Sequence, residues 1–394
     1  MRRHPFVPNL LLPIDADRVR ATQSGGEMTG PAETTAMQRA IALAASVLGT
    51  TNPNPAVGAV VLGPSGDVVG VGATEPVGGR HAEVVALADA GARARGGTLV
   101  VTLEPCRHTG RTGPCTDAVL AAGIARVIFA APDPSPAAGG GGAILRERGI
   151  DVTAGLLAEP ARALMQPWLT SVERGRPHIT WKYAATLDGR TAAADGTSRW
   201  ITGAAARTDA HRERSLVDAV LVGVGTVLAD DPSLTVRDHP ATRQPVRVVA
   251  DSAARTPSTA RILDRSAPTV IAVTAAAPTE RLDALRACGA EVIVVPATDN
   301  GVDPVALVSL MFAREVHSVL LEGGARLAAS FGRCGLVDRV VGYHAPMLLG
   351  AGAPVVAPLD RESIDAALRL QLDDVVRLDD DVKIVARIGA GEEA

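Results

Sequence analysis

From about residue 35 onward, short apolar runs of Val, Leu and Ile alternate with Ala-rich stretches. That is the rhythm of strands interleaved with helices in an α/β fold. The stretch "MQRAIALAASV" predicts a helix, and "AVGAVVLG" and "DVVGVGAT" flank the turn "PSGD" and read as a hairpin. The helix "HAEVVALADAGARA", the strand "TLVVTLE", a Gly- and Thr-rich loop, the helix "TDAVLAAG" and the strand "ARVIFAA" come next. After the loop "PDPSPAAGGGG", "AILRERG" and "DVTAG" close this unit. A second series runs through "HITWKYAA", "DAVLVGVG", "VRVVAD", "PTVIAVT", "EVIVVP", "HSVLLEGG" and "DRVVGYHAP".

At 394 residues the chain exceeds what one ordinary core organises, so two domains are expected. The charged, Gly/Pro-punctuated segment "SVERGRPH" places the boundary between residues 35–173 and 174–394. Residues 1–34 are interrupted by Pro5, Pro8 and Pro13 and lack the continuous apolar core of a signal peptide. They are expected to be a disordered extension, or to precede a true start at Met28 or Met37. No stretch is long and apolar enough to predict a membrane span. A net charge of -4 offers no broad basic surface, and 2% aromatic residues offer no base-stacking platform, which argues against a nucleic-acid partner. The same shortage leaves the core to Ala, Val, Leu and Ile. Cys106, Cys115, Cys288 and Cys334 are too few for a disulfide scaffold, so a cytoplasmic protein is expected, with Cys288 and Cys334 as structural thiols.

Candidate chemistry begins at "GGRHAEVVAL", where His81 and Glu83 stand two residues apart at the start of an apolar helix. "TLEPCRHTGRTGPCTDAVL" then supplies Cys106 and Cys115 on either side of a loop that follows a strand and precedes a helix. One histidine and two thiolates leave open the fourth tetrahedral position of zinc, the mark of a catalytic site. Residues two apart on a helix point to different sides, so Glu83 is expected beside the metal's water as proton carrier rather than on the metal. The pattern H-x-E followed by P-C-x-x-C belongs to zinc deaminases, but here Cys115 comes nine positions after Cys106. The longer loop leaves His108 as a rival ligand. The plain alternative is a pair of buried cysteines and an ordinary helix start.

With these motifs, "TNPNPAVGAVV", "RHAEVVAL" and "VTLEPCRHTGRTGPCTDAVLAAGIARV" closely resemble the deaminase half of the bifunctional riboflavin-biosynthesis deaminase–reductases. That resemblance accounts for the long cysteine loop. It implies a cytidine-deaminase-like fold, with His81, Cys106 and Cys115 on Zn2+ and Glu83 as proton shuttle. It further implies that Asn52, Asn54 and the 107–114 loop line the substrate pocket, although the residues alone favour a simple turn at "NPNP".

In the second half, "LLEGGARLAASF" reads as strand, glycine pair and helix, an arrangement that lets backbone N–H groups approach a phosphate. "GVGTVL" lacks the third glycine of a dinucleotide fingerprint and opens no evident helix, so a Rossmann domain is not predicted. Taken together, "KYAATLDGRTAAADGTSRWIT", "GVGTVLADDPSLTVR" and "LLEGGARLAASF" resemble the reductase half of the same family. The resemblance implies a dihydrofolate-reductase-like domain. NADPH would contact Ala184, Trp200, Thr226, Asp230, Ser252 and the turn Gly324, Ala325, Arg326, Leu327, Ala328, Ala329 and Ser330. The phosphosugar would contact Ser198, Arg214, Leu234, Arg237 and Glu322, the arginines as guanidinium forks. Lys182 and Asp230 are the candidate proton donors.

The resemblance spans about residues 37–388 and implies hydrolytic deamination of 2,5-diamino-6-ribosylamino-4(3H)-pyrimidinone 5′-phosphate, then NADPH-dependent reduction of its ribosyl chain to ribityl. The expected partners are this small pyrimidine ribosyl phosphate and further copies of the chain, without nucleic acid or membrane. Two rivals remain at this level. A nucleic-acid base deaminase would release ammonia from RNA, and a structural zinc module beside a reductase would tolerate Glu83→Gln.

Overall fold

A computed structural model describes residues 29–110 and 112–388. Most of the expected N-terminal extension therefore lies outside the described residues. Its last part does not behave as expected, because a helix already begins at Pro31. Proline is favoured in a first helical turn, where its missing N–H would be unpaired anyway. The chain divides into two compact units, the first running to Ser46 and from Val57 to Leu164, the second comprising Val47–Ala56 and everything from Met165.

In the first unit, α1 (Pro31–Ser46), β1 (Gly58–Leu62), β2 (Val68–Ala73), α2 (Ala82–Ala90), β3 (Thr98–Leu103), α3 (Cys115–Ala122), β4 (Arg126–Ala131), α4 (Gly141–Glu147) and β5 (Asp151–Ala154) follow one another. They build a five-stranded sheet in the order β2-β1-β3-β4-β5. The β1–β2 hairpin is antiparallel, as its turn predicts, and β3, β4 and β5 are parallel. Two glycines in β2 have a packing reason. A Cβ on Gly72 would run into the backbone of Ala82 and Ala86, and one on Gly70 into that of Ala86 and Ala90. Helix α2, which starts at the His81–Glu83 motif, therefore lies directly on the β2 backbone.

Helix α5 (Ala158–Arg174) contains the division between the two compact units, at Leu164/Met165. The reason is visible in its second half. Trp168 Nε1 donates to Pro53 O (3.2 Å), Ser171 Oγ pairs with His317 Nδ1 (2.9 Å) and Arg174 bonds Asp338 (3.0 Å), all within the second unit.

The second unit continues with β6 (His178–Thr186), β7 (Arg190–Ala192), α6 (Ala204–Ser215), β8 (Ala219–Gly223), α7 (Val224–Asp230), β9 (Val246–Ala250), β10 (Thr269–Val273), α8 (Thr279–Ala287) and β11 (Glu291–Val294). After the short β12 (Ala297–Thr298) and β13 (Gly301–Val302) come α9 (Pro304–Phe312), β14 (Ser318–Leu321), α10 (Ala325–Arg333), β15 (Arg339–Ala345), β16 (Ala353–Pro354), β17 (Leu370–Leu378) and β18 (Asp381–Ile388). A nine-stranded sheet runs β11-β10-β9-β8-β14-β6-β15-β18-β17. Its strands are parallel from β11 to β15, and β18 and β17 add an antiparallel hairpin at one edge. Helix α7 was not expected from "GVGTVL"; the turn at Gly223 passes straight into it.

Parallel strands covered on both faces should read as continuous apolar runs, and these do. In β8, Leu221 packs with Val248, Val319 and Ile179 on one side of the sheet, while Val220 and Val222 pack with Val249, Ile271 and Leu320 on the other. Each strand thus feeds two cores with alternate residues.

His178, at the start of β6, is 3% exposed. Burial, the largest cause, pushes its pKa down to about 4, with Arg339, Arg176 and Arg174 acting in the same direction and Asp338 opposing. Between about pH 6.5 and 4 the unfolded chain binds a proton that the folded chain rejects, so stability falls as pH falls through that window. A shift of this size corresponds to about 3 kcal/mol. Urea midpoints at pH 7 and pH 5 should therefore decline less steeply in His178→Met than in wild type. Equal declines would refute the assignment.

Candidate functional site

His81 is the residue that caps α2, in extended conformation, and Cys115 is the first residue of α3. Cys106 follows β3 across Glu104–Pro105. The structure brings His81, Cys106 and Cys115 together, with a ligand atom from each within 4.8 Å of the others. His81 Nδ1 lies 3.2 Å from Cys115 Sγ and 3.6 Å from Cys106 Sγ. The Cys115 N–H points at Cys106 Sγ over 3.4 Å. Hydrogen bonds from the Cys115 thiol and from His81 hold the Cys106 thiol down at about 4 against its burial. The same interaction and burial push the Cys115 thiol up.

One imidazole and two thiols at mutual ligand distance suit a tetrahedral zinc with a single position left for water. Glu83 is outside this group of three, as its place on the helix predicts. It is 4% exposed, and burial raises its carboxyl first of all, with the Cys106 charge adding to the effect. Such a carboxyl holds a proton more readily than an exposed one. Among the described residues, His108 is not brought into the cluster, and its buried Nδ1 has no hydrogen-bond partner.

Glu104 was missed by the sequence reading. Its carboxylate accepts from the backbone N–H of Gly142 (2.9 Å) and of Asp133 (3.2 Å), which folds the 132–142 loop beside Cys106. Arg107 Nη2 adds a bond to Pro136 O (2.9 Å). Nothing in the pattern of the loop sequence marks Glu104 as its anchor, because both contacts are made to backbone.

Asn52 and Asn54, expected at the pyrimidine pocket, lie in a turn closed by Thr51 Oγ1 donating to Asn54 O (2.9 Å) and Asn54 N donating to Thr51 O (3.0 Å). The Asn52 amide is spent on Glu315 O (3.1 Å), so its side chain serves the second unit.

A second site opens along the C-terminal ends of β6, β14, β8 and β9, where ligands of open parallel sheets bind. It is a cleft of about 1020 Å³. Of the expected residues, Ala184, Ser198, Thr226, Asp230, Ser252, Glu322, Gly324, Ala325, Arg326, Leu327 and Ser330 line it, as does Lys182. The floor is glycine. A Cβ on Gly323 would sit 2.7 Å from Leu327 Cδ2, whereas Gly324, which caps α10 without a side-chain bond, faces open space toward Thr226. An uncapped helix start above a bare backbone is a cradle for a phosphate, so the cleft fits a dinucleotide.

Six of the expected residues, Trp200, Arg214, Leu234, Arg237, Ala328 and Ala329, are outside the lining of this cleft. Ala328 and Ala329 are 2% and 0% exposed, because this face of α10 packs into the core rather than the cleft. Trp200 stands outside the lining, exposed, with the Arg207 guanidinium 4.4 Å over its ring. Leu234 buries its side chain and holds φ at 51°, a strained conformation for leucine, so only its backbone could meet a ligand. Arg214, expected to grip the sugar phosphate, is bidentate on Glu322 (2.5 and 2.9 Å) and donates to Thr235 O (3.1 Å). Its guanidinium is thereby neutralised. Glu322 also accepts from Lys182 Nζ at 3.5 Å, and these cations hold its carboxyl at about 2 although burial works against them. Among the described residues, the Arg237 guanidinium meets only Thr235 Oγ1 (3.3 Å), and burial lowers its pKa first, with Arg214 and Arg261 contributing. Of the two arginines, Arg237 is the one open to a phosphate.

Residues 31–131 match the family model for the cytidine and deoxycytidylate deaminase zinc-binding region, and residues 177–384 match the RibD C-terminal domain. The riboflavin biosynthesis protein RibD of Mycobacterium tuberculosis is 44% identical over 358 residues, covering 89% of this chain and 97% of the relative. That of Corynebacterium ammoniagenes is 47% identical over 325 residues, covering 82% and 88%. Among solved structures, Acinetobacter baumannii RibD superposes with a TM-score of 0.82 at 38% identity, over 91% of this chain and 99% of its own. The diaminohydroxyphosphoribosylaminopyrimidine deaminase/5-amino-6-(5-phosphoribosylamino)uracil reductase of Thermotoga maritima does so with a TM-score of 0.80 at 33% identity, over 91% and 99%. A zinc-binding deaminase region and a reductase domain follow one another in this order at such identity over nearly whole relatives, and the chain therefore belongs to the RibD family of bifunctional riboflavin-biosynthesis deaminase–reductases.

Proposed function

We propose that this chain first removes the 2-amino group of 2,5-diamino-6-ribosylamino-4(3H)-pyrimidinone 5′-phosphate by hydrolysis. It then reduces the ribosyl chain of the resulting aminouracil to ribityl with NADPH. The observation that carries the first step is the His81, Cys106 and Cys115 cluster with buried Glu83 beside it. Zinc held by those three side chains supplies a Lewis acid that lets water ionise near neutral pH. Glu83 takes the proton from the attacking water and hands it to the departing amine, a transfer suited to a carboxyl whose pKa is raised.

For the second step, NADPH supplies the hydride, and the chain supplies orientation. Gly324 and the start of α10 receive the diphosphate, and Ala184, Thr226, Asp230 and Ser252 border it. Glu322 fixes Lys182 at the reacting end, where its ammonium stands ready to protonate the ribose ring oxygen as the ring opens. Ser198 borders the sugar, and Arg237, whose guanidinium has no ion-pair partner among the described residues, meets its phosphate. A deaminase domain over residues 35–173 and a reductase domain over 174–394 belong to the same reading, as do a cytoplasmic location and homo-oligomerisation. Support for the last comes from β17, an exposed edge strand that presents Leu370, Leu372 and Val375.

Purified protein incubated with the diamino substrate should release ammonia without NADPH and form the ribityl product once NADPH is added. Removal of zinc with a chelator should end ammonia release and leave NADPH oxidation with the aminouracil intact. Zinc-replete protein that released no ammonia would overturn the proposal.

A further inference from the structure

Beside the reacting end of the cleft stands a buried cluster of charges to which neither step assigns a role. Asp209 and Glu213 of α6 face Lys383 of β18, whose Nζ donates to Asp209 Oδ2 (2.5 Å) and Glu213 Oε1 (2.8 Å). Arg212 Nε bonds Asp209 Oδ1 (3.0 Å) and Arg339 Nη1 bonds Glu213 Oε2 (3.0 Å), so both carboxylates are met by cations. Tyr343 of β15, 1% exposed, is the uncharged member, and its hydroxyl donates to Asp209 Oδ2 over 2.7 Å. Burial first, then Glu213 and Asp209, raises the pKa of this phenol, so the hydroxyl keeps its proton and with it the bond. Ala206 and Ala210 of α6 and Ala184 of β6 pack with the same side chain. The ring is thus held twice, by its packing and by its hydroxyl.

Strand register carries this fixed ring to the cleft. Tyr343 pairs with Ala184 on β6 and with Lys383 on β18. Lys182, two residues before Ala184, shares its face of the sheet, and its Nζ lies 5.7 Å from the centre of the Tyr343 ring. The Lys182 ammonium has one ion-pair partner among the described residues, Glu322 Oε2 at 3.5 Å. That carboxylate is held more closely by Arg214, at 2.5 and 2.9 Å. One long contact at the tip of a flexible four-carbon stem fixes an ammonium poorly. The negative face of an aromatic ring within about 6 Å supplies a second contact. We propose that Tyr343 is a positioning residue for the reduction, its ring holding the Lys182 ammonium toward the ribose while Asp209 holds the ring. The inference rests on the reading of Lys182 as the proton donor. A single helix then braces both contacts of the ammonium, because α6 reaches Glu322 through Arg214 and Tyr343 through Asp209. Lys383 Nζ stands at the same 5.7 Å from the ring, but two carboxylates meet its charge, so it does not drive Lys182 away.

The test changes the charge on the ring's face and keeps its shape. In the full-length chain, Tyr343→Phe and a variant with pentafluorophenylalanine at position 343 both lack the hydroxyl, but only the second loses the negative face. For NADPH-dependent reduction of the aminouracil, Tyr343→Phe should keep kcat within about threefold of wild type, and the fluorinated variant should lose roughly 5- to 30-fold. The KM for NADPH should be the same in both. Melting temperature and ammonia release from the diamino substrate should also match between the two, which reports equal folding. Lys182→Met should lower kcat by roughly 10²-fold or more, and in that background the fluorinated ring should cost nothing further. Equal kcat in the two ring variants, or the same loss with and without Lys182, would overturn the positioning role. A Lys182→Met chain that reduced the aminouracil as fast as wild type would instead overturn the proton-donor reading.

Discussion

Glu83→Gln is expected to slow ammonia release from the diaminopyrimidine by roughly 10²- to 10⁴-fold, the range that positioned proton transfer contributes. The amide keeps the shape of the side chain but cannot take a proton from water or deliver one to a leaving amine. No solvent substitute is at hand, because Glu83 is 4% exposed at the start of a helix pressed onto β2. Zinc content should be unchanged, since Glu83 lies outside the group of ligand atoms. Stability should hold or rise, because the substitution removes a buried carboxyl that stands near the Cys106 charge. Reduction of the aminouracil by NADPH should proceed as in wild type. These readouts separate a proton shuttle from a structural carboxylate, whose loss would move metal content or stability first. Undiminished deamination would show that the zinc cluster is structural.

Glu322→Gln should have the largest effect in the second unit. Its carboxylate stands between Arg214 and Lys182, and the side chains of all three are largely buried. Replacing it by an amide leaves the guanidinium of Arg214 without a counter-charge, a change that typically costs 3–5 kcal/mol. Lys182 loses its anchor as well, so reductase turnover should collapse while ammonia release in the same chain persists. Differential scanning calorimetry and separate assays of the two steps would check this. The double variant Glu322→Gln/Arg214→Met should recover part of the stability but not the turnover, because it removes the stranded charge without restoring the hold on Lys182. Equal melting of wild type and Glu322→Gln would refute the claim that the ion pair anchors this end of the cleft.

How much of this was legible in the sequence differs sharply between the two sites. His81 and Glu83 announce themselves because they sit at the first turn of a helix that starts after a glycine-rich turn. Cys106 and Cys115 do so because one follows a strand and the other opens a helix. Each element needs only local pattern to be predicted, and their residue types state the chemistry. At the reductase cleft the equivalent signals were partial. Gly324 and Ser252 fall at strand ends that the pattern locates, but Arg255 and Asp299, which also line the cleft, pass unnoticed because neither carries a motif. The rule that ligands bind beyond the carboxyl ends of parallel strands would have singled out residues 251–255 once the position of β9 within the sheet was known.

By itself, then, the sequence determined the α/β class, the strand and helix rhythm, and the zinc-ligand chemistry, all of which follow from short-range periodicity and residue type. Only the tertiary structure decided which arginine has no ion-pair partner among the described residues. Arg214 and Arg237 look equivalent as sequence, yet Glu322, more than a hundred residues from Arg214, neutralises that side chain and leaves Arg237 open. The same holds for the order β9-β8-β14-β6, which gathers Ser252, Thr226, Gly324 and Lys182 along one cleft. Strand order and burial are long-range properties, set by which faces find partners, and no local pattern encodes them.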